Sequence, residues 1–505
     1  MPAPLLISLP SGLTLGGVQV WAARLLNTLA ARNHPCGLIL HPPDGPPLDL
    51  PLHPSIHLFH APQPLSSAVA PSHGRTVARA PYRHAVQTLH ALTNLPVICV
   101  PTQLGDSAGL FAQLIAEGLP ARLAPWVHSD IPYEQRILDF YRPVIRHAAA
   151  VSSALVSASR ATLPEASIWQ IPNAVPVSPA RPRRLTARPQ LIFAGRLCRD
   201  IKRVLALPAA SQELTRLGVP HSLTIIGDGP AAADLARACA GLDTVTILPP
   251  QPPAALAALF DDHDFFLLPS RVEGLSLSLL ESMSRGTVPC TTPTSGAADA
   301  VSPDNGLIVH AAPDTDEAAV GAAMARAIAA ALDRLPPMSR AAIDTIHARF
   351  SLDQQANHAE RFIDALAASP ALSWPAARNT CFTAPSPHGS GATPPNAEQR
   401  LRDLLRSLQG RRLIIHATGN HTRELLHVYE EHRASIAAFA DDNPAARTTR
   451  LLDLPVIAPA DAAATRATDV IISSWINQDQ IWQRRAVYEQ QALTVHRLYQ
   501  APVAA

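Results

Sequence analysis

Short apolar runs alternate with helix-length amphipathic stretches from the start of the chain. Leu5–Leu9 is one such run, and a helical pattern of apolar residues follows it over about 18–29. Similar runs recur at 97–100 and 148–152. This alternation predicts a parallel sheet covered by helices on both faces. We therefore predict a first lobe over residues 1–175.

A second series of apolar runs follows residues 175–189, which are rich in Pro and Arg, have no periodicity and are expected to form an exposed connection. The strands predicted beyond it again alternate with Ala- and Leu-rich helical stretches. These strands lie at 191–194, 222–226, 244–248 and 265–268. We predict a second lobe over 176–351, a cleft between the two lobes, and a helix over 352–368 that completes the first lobe.

Residues 369–396 are full of Pro, Ser, Gly and Thr, a composition typical of a linker. Beyond them, an amphipathic helix near 398–408 and apolar strands at 413–417 and 470–473 predict a small separate domain over 397–505. The predicted fold class is therefore α/β, with two Rossmann-like lobes facing a cleft and a small C-terminal α/β Rossmann-like domain.

The composition of the 505 residues is that of a globular protein, with 47% hydrophobic and 16% charged residues. A net charge of +1 gives no overall field that would attract nucleic acid or an anionic membrane. The six cysteines are scattered, without the spacing of a metal site or a disulfide scaffold. Neither a signal peptide nor a long uninterrupted apolar span is evident. We expect a cytoplasmic protein, with peripheral contact at the inner membrane face left open.

The strongest chemical signal is FFLLPSRVEGLSLSLLESMSRGTVP, in which a buried strand is followed by a loop and by a helix that begins after Gly274. Glu273 and Glu281 are separated by seven residues. The free amides at a helix start favour anions or hydroxyl oxygens, and paired carboxylates can accept hydrogen bonds from vicinal sugar hydroxyls. Both residues are candidates for binding a sugar donor. The alternative is a solvated helix start with an N-terminal Glu.

Two cations follow another predicted strand, in FAGRLCRDIKR. Gly195 ends the strand, and Arg196 and Lys202 come next. Open α/β sheets bind ligands at the carboxyl ends of their strands, so two cations there suit a diphosphate, with a basic surface loop as the alternative. The glycine loops Gly16-Gly17 and Gly227-Asp228-Gly229 could bring amides close to phosphate or sugar, although a glycine after a strand is usually only a turn.

In this order, the segments resemble those of the GT-B glycosyltransferases of the large retaining family often called family 4, or glycosyl transferases group 1. That family includes bacterial lipopolysaccharide and mannosyl transferases. The resemblance covers about residues 1–368. It rests on Gly16-Gly17, Asn173 in IPNAVP, GRLCRDIK, IIGDGP, the Glu273/Glu281 pair and PTSGAADAVSPDNGL.

The resemblance implies a sugar transfer with retained anomeric configuration, of the kind used in polysaccharide biosynthesis. The donor would be a nucleotide-sugar, and the acceptor a glycan, a lipid-linked molecule or a small molecule. No metal or other cofactor and no nucleic-acid partner are expected. The oligomeric state is left open.

The resemblance also implies roles for single residues. Arg196 and Lys202 would hold the donor diphosphate and stabilise the departing nucleotide, a task that other glycosyltransferases give to a metal ion. Glu281 would bind the ribose hydroxyls, and Glu273 the transferred sugar on the face where positive charge develops. His128 in WVHSD would lie near the primary hydroxyl of the sugar, unless it is only a structural histidine. Three further residues would offer amides to sugar or phosphate oxygens: Gly274, Leu275 and Ser276.

One feature departs from the pattern of this family, and another is similar to a motif of a different glycosyltransferase fold. Pro249 stands where the family usually has a glycine before the base-binding loop, so the base is poorly constrained. The run Asp262-His263-Asp264 resembles the metal-binding Asp-x-Asp of the other glycosyltransferase fold. It directly precedes a buried strand, and we interpret it as a polar lead-in to that strand.

The C-terminal segments IIHATGNHTRELL, FADDNP, LPVIAP and DVIISS resemble the small Rossmann-like domain attached to some sugar acyltransferases and methyltransferases. In a dinucleotide fingerprint, the first glycine would fall at Ala417 and the third at Thr422, which leaves only Gly419. This pattern makes pyrophosphate binding doubtful. A docking or regulatory domain is the favoured interpretation.

Two other function classes stay open. A GT-B-like nucleotide-sugar epimerase has two lobes and a diphosphate site but needs no acceptor. A catalytically silent sugar-nucleotide-binding protein would have no reason to keep all four of its charged donor-site candidates, which argues against that class. These candidates are Arg196, Lys202, Glu273 and Glu281.

Overall fold

The computed structural model forms two compact units, the first containing Met1–Leu65 and Thr76–Ala376 and the second containing Ala377–Ala505. The residues that the structure describes are 1–14, 16–43, 50–62, 65, 76–102, 105–177, 179, 182–311, 315–378, 397–418, 421–422, 425–443, 447, 450–474 and 478–499. Each unit contains its own sheets and is described by itself.

The first sheet is parallel and begins the chain. Its strands are β1 (Leu5–Leu9), β2 (Cys36–Leu40), β3 (His57–His60), β4 (Val97–Pro101) and β5 (Ala121–Leu123). They lie in the order β3-β2-β1-β4-β5, so the fully buried β1 is central. The strand predicted at Leu5–Leu9 is confirmed, because a continuous apolar run suits a strand covered on both faces.

A second, three-stranded parallel sheet follows. It consists of β6 (Trp126–Val127), β7 (His147–Ala150) and β8 (Ser167–Gln170), in that order. We expected the strand near 148–152 to belong to the first sheet, and this was wrong. Ala124 and Pro125 separate β5 from β6, and Pro125 has no N–H for a ladder. The isolated bridge between Leu123 and Ile145 links the two sheets.

Helices cover these two sheets. They are α1 (Gly17–Ala31), α2 (Thr76–Thr93), α3 (Gly105–Ala116), α4 (Pro132–Tyr141) and α5 (Ser153–Thr162). The first of them, α1, directly follows the glycine loop after β1. Its buried face is apolar apart from Arg24. This helix therefore carries one charge into the interior.

In the third sheet, the chain adds strands first on one side of a central strand and then switches to its other side. Its strands are β9 (Gln190–Ala194), β10 (Ser222–Ile226), β11 (Val245–Leu248), β12 (Phe265–Leu268), β13 (Val288–Thr291) and β14 (Leu307–Ile308). All pairings are parallel, in the order β11-β10-β9-β12-β13-β14. The chain therefore leaves β9 to one side for β10 and later returns to its other side as β12. The carboxyl ends of β9 and β12 meet at this switch, where open α/β sheets bind ligands.

The helices around the third sheet include two of only four residues each. The helices are α6 (Arg199–Lys202), α7 (Ala206–Arg216), α8 (Ala232–Cys239), α9 (Pro253–Asp261), α10 (Leu277–Ser284), α11 (Ala297–Ala300), α12 (Glu317–Ala329) and α13 (Leu335–Arg349). After them, α14 (Leu352–Ala368) returns to the first sheets. Phe362 of α14 packs against Trp126, and Arg32, the C-cap of α1, binds Asp353 at 2.7 Å.

The connection before β9 was expected to be exposed, but Arg183 in it is anchored. Its Nε donates to the carbonyl of His263 at 2.8 Å, and its Nη2 donates to the carbonyls of Phe260 and Arg285. Carbonyls at the end of α9 have no partner within the helix, and a guanidinium supplies several donors at once. Arg183 therefore fixes the start of this part of the chain.

The second unit is another α/β fold. Its strands are β15 (Leu413–His416), β16 (Ile436–Ala440), β17 (Arg450–Leu451), β18 (Leu454–Ile457), β19 (Asp469–Ile472) and β20 (Thr494–Arg497), in the order β17-β18-β16-β15-β19-β20. Its helices are α15 (Ala397–Ser407), α16 (Leu426–Glu431), α17 (Gln478–Gln483) and α18 (Ala486–Glu489). Among the strands of the described residues, β17 alone runs antiparallel. Most of the predicted linker, 379–396, lies outside the described residues.

None of the helices within the described ranges is long and apolar enough to cross a membrane.

Candidate active site

Lys202 and Glu273 form an ion pair where the carboxyl ends of β9 and β12 meet. Lys202 is the last residue of α6, and Glu273 lies in the loop after β12. The Glu273 carboxylate also accepts a hydrogen bond from Ser270 at 2.8 Å. Both side chains are less than one-fifth exposed. Charges in such a setting are screened less than on the open surface, so they can act strongly on a ligand.

The short helix that carries Lys202 is held by its neighbours. Glu317 at the start of α12 accepts hydrogen bonds from Arg199 Nε and from the N–H of Leu205, both at 3.0 Å. The N–H of Arg271 donates to the carbonyl of Ile201 at 2.7 Å. The loops after β9 and β12 are thereby joined, which fixes the position of the Lys202 amine before any ligand binds.

Arg196, the other predicted diphosphate residue, is exposed at the end of β9. Its guanidinium makes no hydrogen bond or ion pair with any residue that the structure describes. Lys202 is neutralised by Glu273, whereas Arg196 offers its charge to solvent. The two cations therefore share one edge of the sheet but not one contact.

The loops after β9 and β10 pack so closely that glycine is required. A Cβ on Gly227 would overlap the carbonyl oxygen of Gly195. The Gly227 amide, predicted to approach phosphate or sugar, is used within the fold: Gly227 N–H donates to Leu248 at 3.1 Å, as the neighbouring Gly195 N–H donates to Ile226 at 3.0 Å. Close backbone packing accounts for Gly227, whereas a Cβ on Gly195 would meet only side-chain atoms, the nearest being on the Phe193 ring at 3.4 Å.

The glycine loop after β1 is open at Gly17. Gly16 is the N-cap of α1 in extended conformation, and a Cβ there would meet the flexible end of the Gln19 side chain. Among the described residues, no side-chain cap hydrogen bond is formed at this helix start. A Cβ on Gly17 would meet nothing within 4 Å. The start of a 15-residue helix is thus accessible, and helix starts favour oxygen atoms with negative charge.

The loop after β12 presses directly against the first sheets. A Cβ on Gly274 would overlap the carbonyl oxygen of His128, and one on Gly296 would overlap that of Gly274. The side chain of Asn173 donates to the carbonyl of Leu275 at 2.7 Å. Ser276 follows as the N-cap of α10, where its hydroxyl accepts from an N–H of the first turn. The residues 274–276 therefore lie at the contact between the two lobes.

His128 is buried beneath this loop. Its ring lies edge-on to Trp21, with ring centroids 4.4 Å apart, and the backbone N–H of His128 donates to the Glu134 carboxylate at 3.2 Å. Burial lowers the pKa of His128 to about 3. Nε2 is buried without a hydrogen-bond partner among the described residues. The ring is therefore neutral near pH 7, and it can serve as a hydrogen-bonding group rather than as a cation.

Glu281 is separate from the Lys202–Glu273 pair and binds a residue of the other lobe. Its carboxylate accepts a hydrogen bond from Arg24 Nη2 at 2.6 Å. Sequence reasoning missed Arg24. The available signal was a single Arg inside the apolar run WAARLL on the helix that follows Gly16-Gly17.

The run Asp262-His263-Asp264 serves the fold. The Asp264 carboxylate accepts the N–H of Gln190 at 2.8 Å, which ties β9 to β12. The His263 ring bonds the carbonyl of Leu259 and the hydroxyl of Thr224. In the described part of the chain, no group of three His, Cys, Asp or Glu residues is arranged to hold a metal ion.

The segment that contains the Lys202–Glu273 pair is similar to a known family. The family model for glycosyl transferases group 1 matches residues 188–332, which contain the Lys202–Glu273 pair, Arg196 and Glu281. No curated protein has a sequence that matches the chain.

Several solved structures are similar at low sequence identity. The pneumococcal O-GlcNAc transferase GtfA, solved with UDP and GlcNAc, has a TM-score of 0.56 at 12% identity, over 73% of this chain and 100% of that one. Sucrose-phosphate synthase from Thermosynechococcus elongatus has 0.55 at 18%, over 72% and 99%. Anabaena HepE, solved with UDP and glucose, has 0.54 at 14%, over 72% and 100%. The fold is that of the GT-B glycosyltransferases.

In GT-B terms, β1–β8 with α14 form one Rossmann-like lobe and β9–β14 the other. The candidate residues are divided between the two lobes. Gly16, Gly17, Arg24 and His128 belong to the first, and the Lys202–Glu273 pair belongs to the second.

The second unit carries the incomplete glycine pattern. Ala417, at the position of the first glycine, has φ 87°, a conformation that favours glycine. Thr422, at the third, is buried and donates to the carbonyls of Ala417 and Ser473 at 2.8 and 2.7 Å. Gly419 lies outside the described residues. The hydroxyl of Thr422 thus occupies space that a dinucleotide fingerprint leaves to a glycine.

Proposed function

We propose that this chain is a glycosyltransferase that moves a sugar from a nucleotide-sugar donor to an acceptor, with retention of the anomeric configuration and without a metal ion. The observation that carries the proposal is the Lys202–Glu273 pair at the switch between β9 and β12, with Arg196, which has no partner among the described residues, at the same edge of the sheet. The match to glycosyl transferases group 1 over this segment supports it.

The chemistry needs a positive charge beside the leaving group. When the bond between sugar and diphosphate breaks, negative charge builds up on the phosphate oxygens, and fixed cations lower that barrier. Lys202 and Arg196 supply two such cations. Glu273 accepts hydrogen bonds from the sugar hydroxyls and opposes the positive charge that develops on the sugar.

A UDP-sugar is the first donor to test, because GtfA and HepE were solved with UDP. The acceptor, a glycan, a lipid-linked molecule or a small molecule, would bind mainly on the first lobe. Retention is the proposed outcome because the buried His128 has a pKa of about 3 and is a poor general base. A front-face exchange needs only a phosphate oxygen of the donor as base.

The test is incubation of the full chain with UDP-, GDP- and ADP-sugars, with and without a panel of sugar acceptors, followed by mass spectrometry and NMR of the product. Transfer with the donor's anomeric configuration supports the proposal. An inverted product overturns retention. An epimerised nucleotide-sugar formed without acceptor identifies an epimerase, and donor binding without any product identifies a silent binding protein.

The amine of Lys202 offers a direct probe, because it is the only lysine of the chain. Acetylation with an N-hydroxysuccinimide ester, which removes the positive charge, can therefore modify among the amines only this side chain and the N-terminus. We expect loss of transfer on acetylation of Lys202, and protection by the nucleoside diphosphate that binds. Full activity with Lys202 acetylated, shown by peptide mass spectrometry, would contradict the assigned role.

Metal removal gives a further prediction. EDTA should leave the transfer rate unchanged within about twofold, because Arg196, Lys202 and helix amides oppose the leaving-group charge. The measurement is the initial rate before and after dialysis against EDTA, with and without added Mg²⁺ or Mn²⁺. A rate that returns only with the metal would bring Asp262 and Asp264 back as candidates.

A further inference from the structure

Arg24 joins the two lobes at a donor-site residue. It lies on α1 of the first lobe, and its Nη2 donates to the Glu281 carboxylate on α10 of the second lobe at 2.6 Å. Arg24 is only 9% exposed. An arginine on the apolar face of a helix is costly to bury unless its charge is compensated, and Glu281 compensates it here.

The second nitrogen of the same guanidinium is not satisfied. Arg24 Nη1 is buried, and among the residues that the structure describes it has no hydrogen-bond partner. Trp21, one helical turn earlier on the same face, likewise has a buried indole N–H without a described partner. Unpaired buried donors are rare in folded proteins, and they point to an acceptor atom of a ligand.

A hydroxyl group matches the combination of Glu281 and Arg24. A carboxylate can only accept hydrogen bonds and a guanidinium can only donate them, whereas a hydroxyl does both. If one hydroxyl donates to Glu281, its lone pair remains to be satisfied, and an unpaired N–H beside that carboxylate satisfies it. The nucleotide ribose is the group that Glu281 is expected to hold.

We propose that Arg24 is a donor-binding residue supplied by the first lobe, which holds Glu281 with Nη2 and hydrogen-bonds a ribose hydroxyl of the nucleotide with Nη1. This inference rests on the proposed function. It makes ribose recognition depend on both lobes, so the ribose binds fully only when the cleft is closed. The 2′- or 3′-hydroxyl thereby donates to Glu281 of the second lobe and accepts from Arg24 of the first.

The test compares UDP with 2′-deoxy-UDP and 3′-deoxy-UDP by calorimetry on the full chain. The wild type should bind UDP at least tenfold more tightly than one of the two deoxy analogues. In Arg24→Met, which keeps the bulk of the side chain but has no donor, that ratio should fall below about threefold. A ratio taken within one protein does not depend on how much of that variant is folded.

Arg32→Met is the matched control. Arg32 is the C-cap of the same helix and binds Asp353 and Glu360 of α14, away from the cleft, so its removal should leave the ratio unchanged. An unchanged ratio in Arg24→Met, or tighter UDP binding by that variant, would overturn the proposal. Tighter binding would mean that Arg24 blocks Glu281 instead of assisting it.

A second pair of variants separates direct contact from an effect through Glu281. In the Glu281→Gln background, adding Arg24→Met should lower the ratio further if Nη1 contacts the ribose. No further decrease would overturn the direct contact. If the wild type binds none of UDP, GDP or ADP, it is the proposed function itself that fails.

Discussion

Lys202 is the only lysine in a chain with 41 basic residues, all the others being arginine. The two side chains are not equivalent, because an ammonium is a compact point charge and a guanidinium is a wide planar fork. At the junction of β9 and β12, the amine reaches the Glu273 carboxylate from a four-residue helix. A compact charge suits a position between a carboxylate and a phosphate, which gives a physical reason for lysine here.

Replacement of this amine is the first prediction at the residue scale. Lys202→Ala should leave the fold intact and lower kcat/KM by about 10²-fold or more, because one of the two cations that oppose the leaving-group charge is lost. Arg216→Ala is the control, since Arg216 is a cation of the next helix, α7, and pairs with Glu213 of that same helix. The measurement is transfer kinetics together with circular dichroism. Near wild-type kinetics for Lys202→Ala would refute the assignment.

The buried ring of His128 predicts a pH dependence of stability. Its pKa is about 3 in the fold against an ordinary value of 6.5, so the unfolded chain binds the extra proton between these values. The neutral ring therefore has no cost in stability above about pH 7. As the pH falls from 7 toward 3, protonation of His128 in the unfolded chain lowers the free energy of unfolding progressively. Between pH 7 and 5, the free energy of unfolding of the wild type should fall by on the order of 1–2 kcal/mol more than that of His128→Gln.

Urea titrations of both proteins at several pH values measure this difference. Glu134, whose pKa is raised by burial, titrates in an overlapping range, and comparing two proteins that both contain it reduces its contribution. Parallel pH profiles for the two proteins would show that the ring is not held neutral.

Some residues of the candidate site can be predicted from the sequence and others cannot, for a physical reason. Lys202 and Glu273 follow apolar strands, and parallel strands bring their carboxyl ends to one edge, so their proximity can be predicted. Arg24 and Glu281 are 257 positions apart on two helices of different lobes. A helical pattern identifies the buried face of α1, but it contains no information on which side chain lies opposite.

At the scale of elements, glycines set how closely the loops approach. Gly274 lies between the carbonyl of His128 and Gly296, so backbone meets backbone where the two lobes touch. Gly17 has the opposite surroundings, with nothing near the position of a Cβ. One glycine is required by the fold, whereas the other leaves a space in front of a helix start.

These two glycines give a paired prediction. Gly274→Ala should destabilise the protein by about 1–3 kcal/mol, because the methyl group must displace the His128 carbonyl. Gly17→Ala should be neutral or stabilising, since Ala favours a helix over Gly, yet it should weaken donor binding if phosphate or sugar occupies that space. Thermal melts and calorimetry with UDP measure both effects. Equal stability of the two variants would contradict the expected effect of Gly274→Ala. Full UDP affinity in Gly17→Ala would contradict the expected weakening of donor binding.

Elements with continuous apolar runs could be predicted closely, and Phe265–Leu268 is confirmed with the same bounds. A continuous apolar run directly indicates a strand that is buried on both faces of the sheet. The separation of β6–β8 into their own sheet was missed because it depends on the two residues at Ala124 and Pro125. The anchoring of Arg183 was missed because its acceptors are carbonyls far along the chain, which composition does not reveal.

At the scale of the whole molecule, the GT-B lobes are tied at several points besides the cleft residues. Asp299 of α11 accepts the N–H and the hydroxyl of Ser153, both at 2.6 Å, at the start of α5. A carboxylate at a helix start is favourable through the unpaired amides there. With Arg24 bound to Glu281 as well, the lobes are held closed by charged contacts that a change in the cleft can break.

The extent of the independent transferase unit is the last prediction. The crossing helix α14 ends at Ala368, but Trp374 is 5% exposed and lies with its ring centroid 5.8 Å from that of Tyr141. We therefore expect a chain that ends after Ala376 to fold and to keep its UDP affinity, and one that ends at Ala368 to melt at a lower temperature. Because Thr422 occupies the third glycine position, the full chain should bind NAD weakly if at all. The measurement is calorimetry of the full chain and the two shorter chains with UDP and with NAD. Loss of UDP binding in a folded chain that ends after Ala376, or micromolar NAD binding by the full chain, would show that the second unit takes part in nucleotide binding.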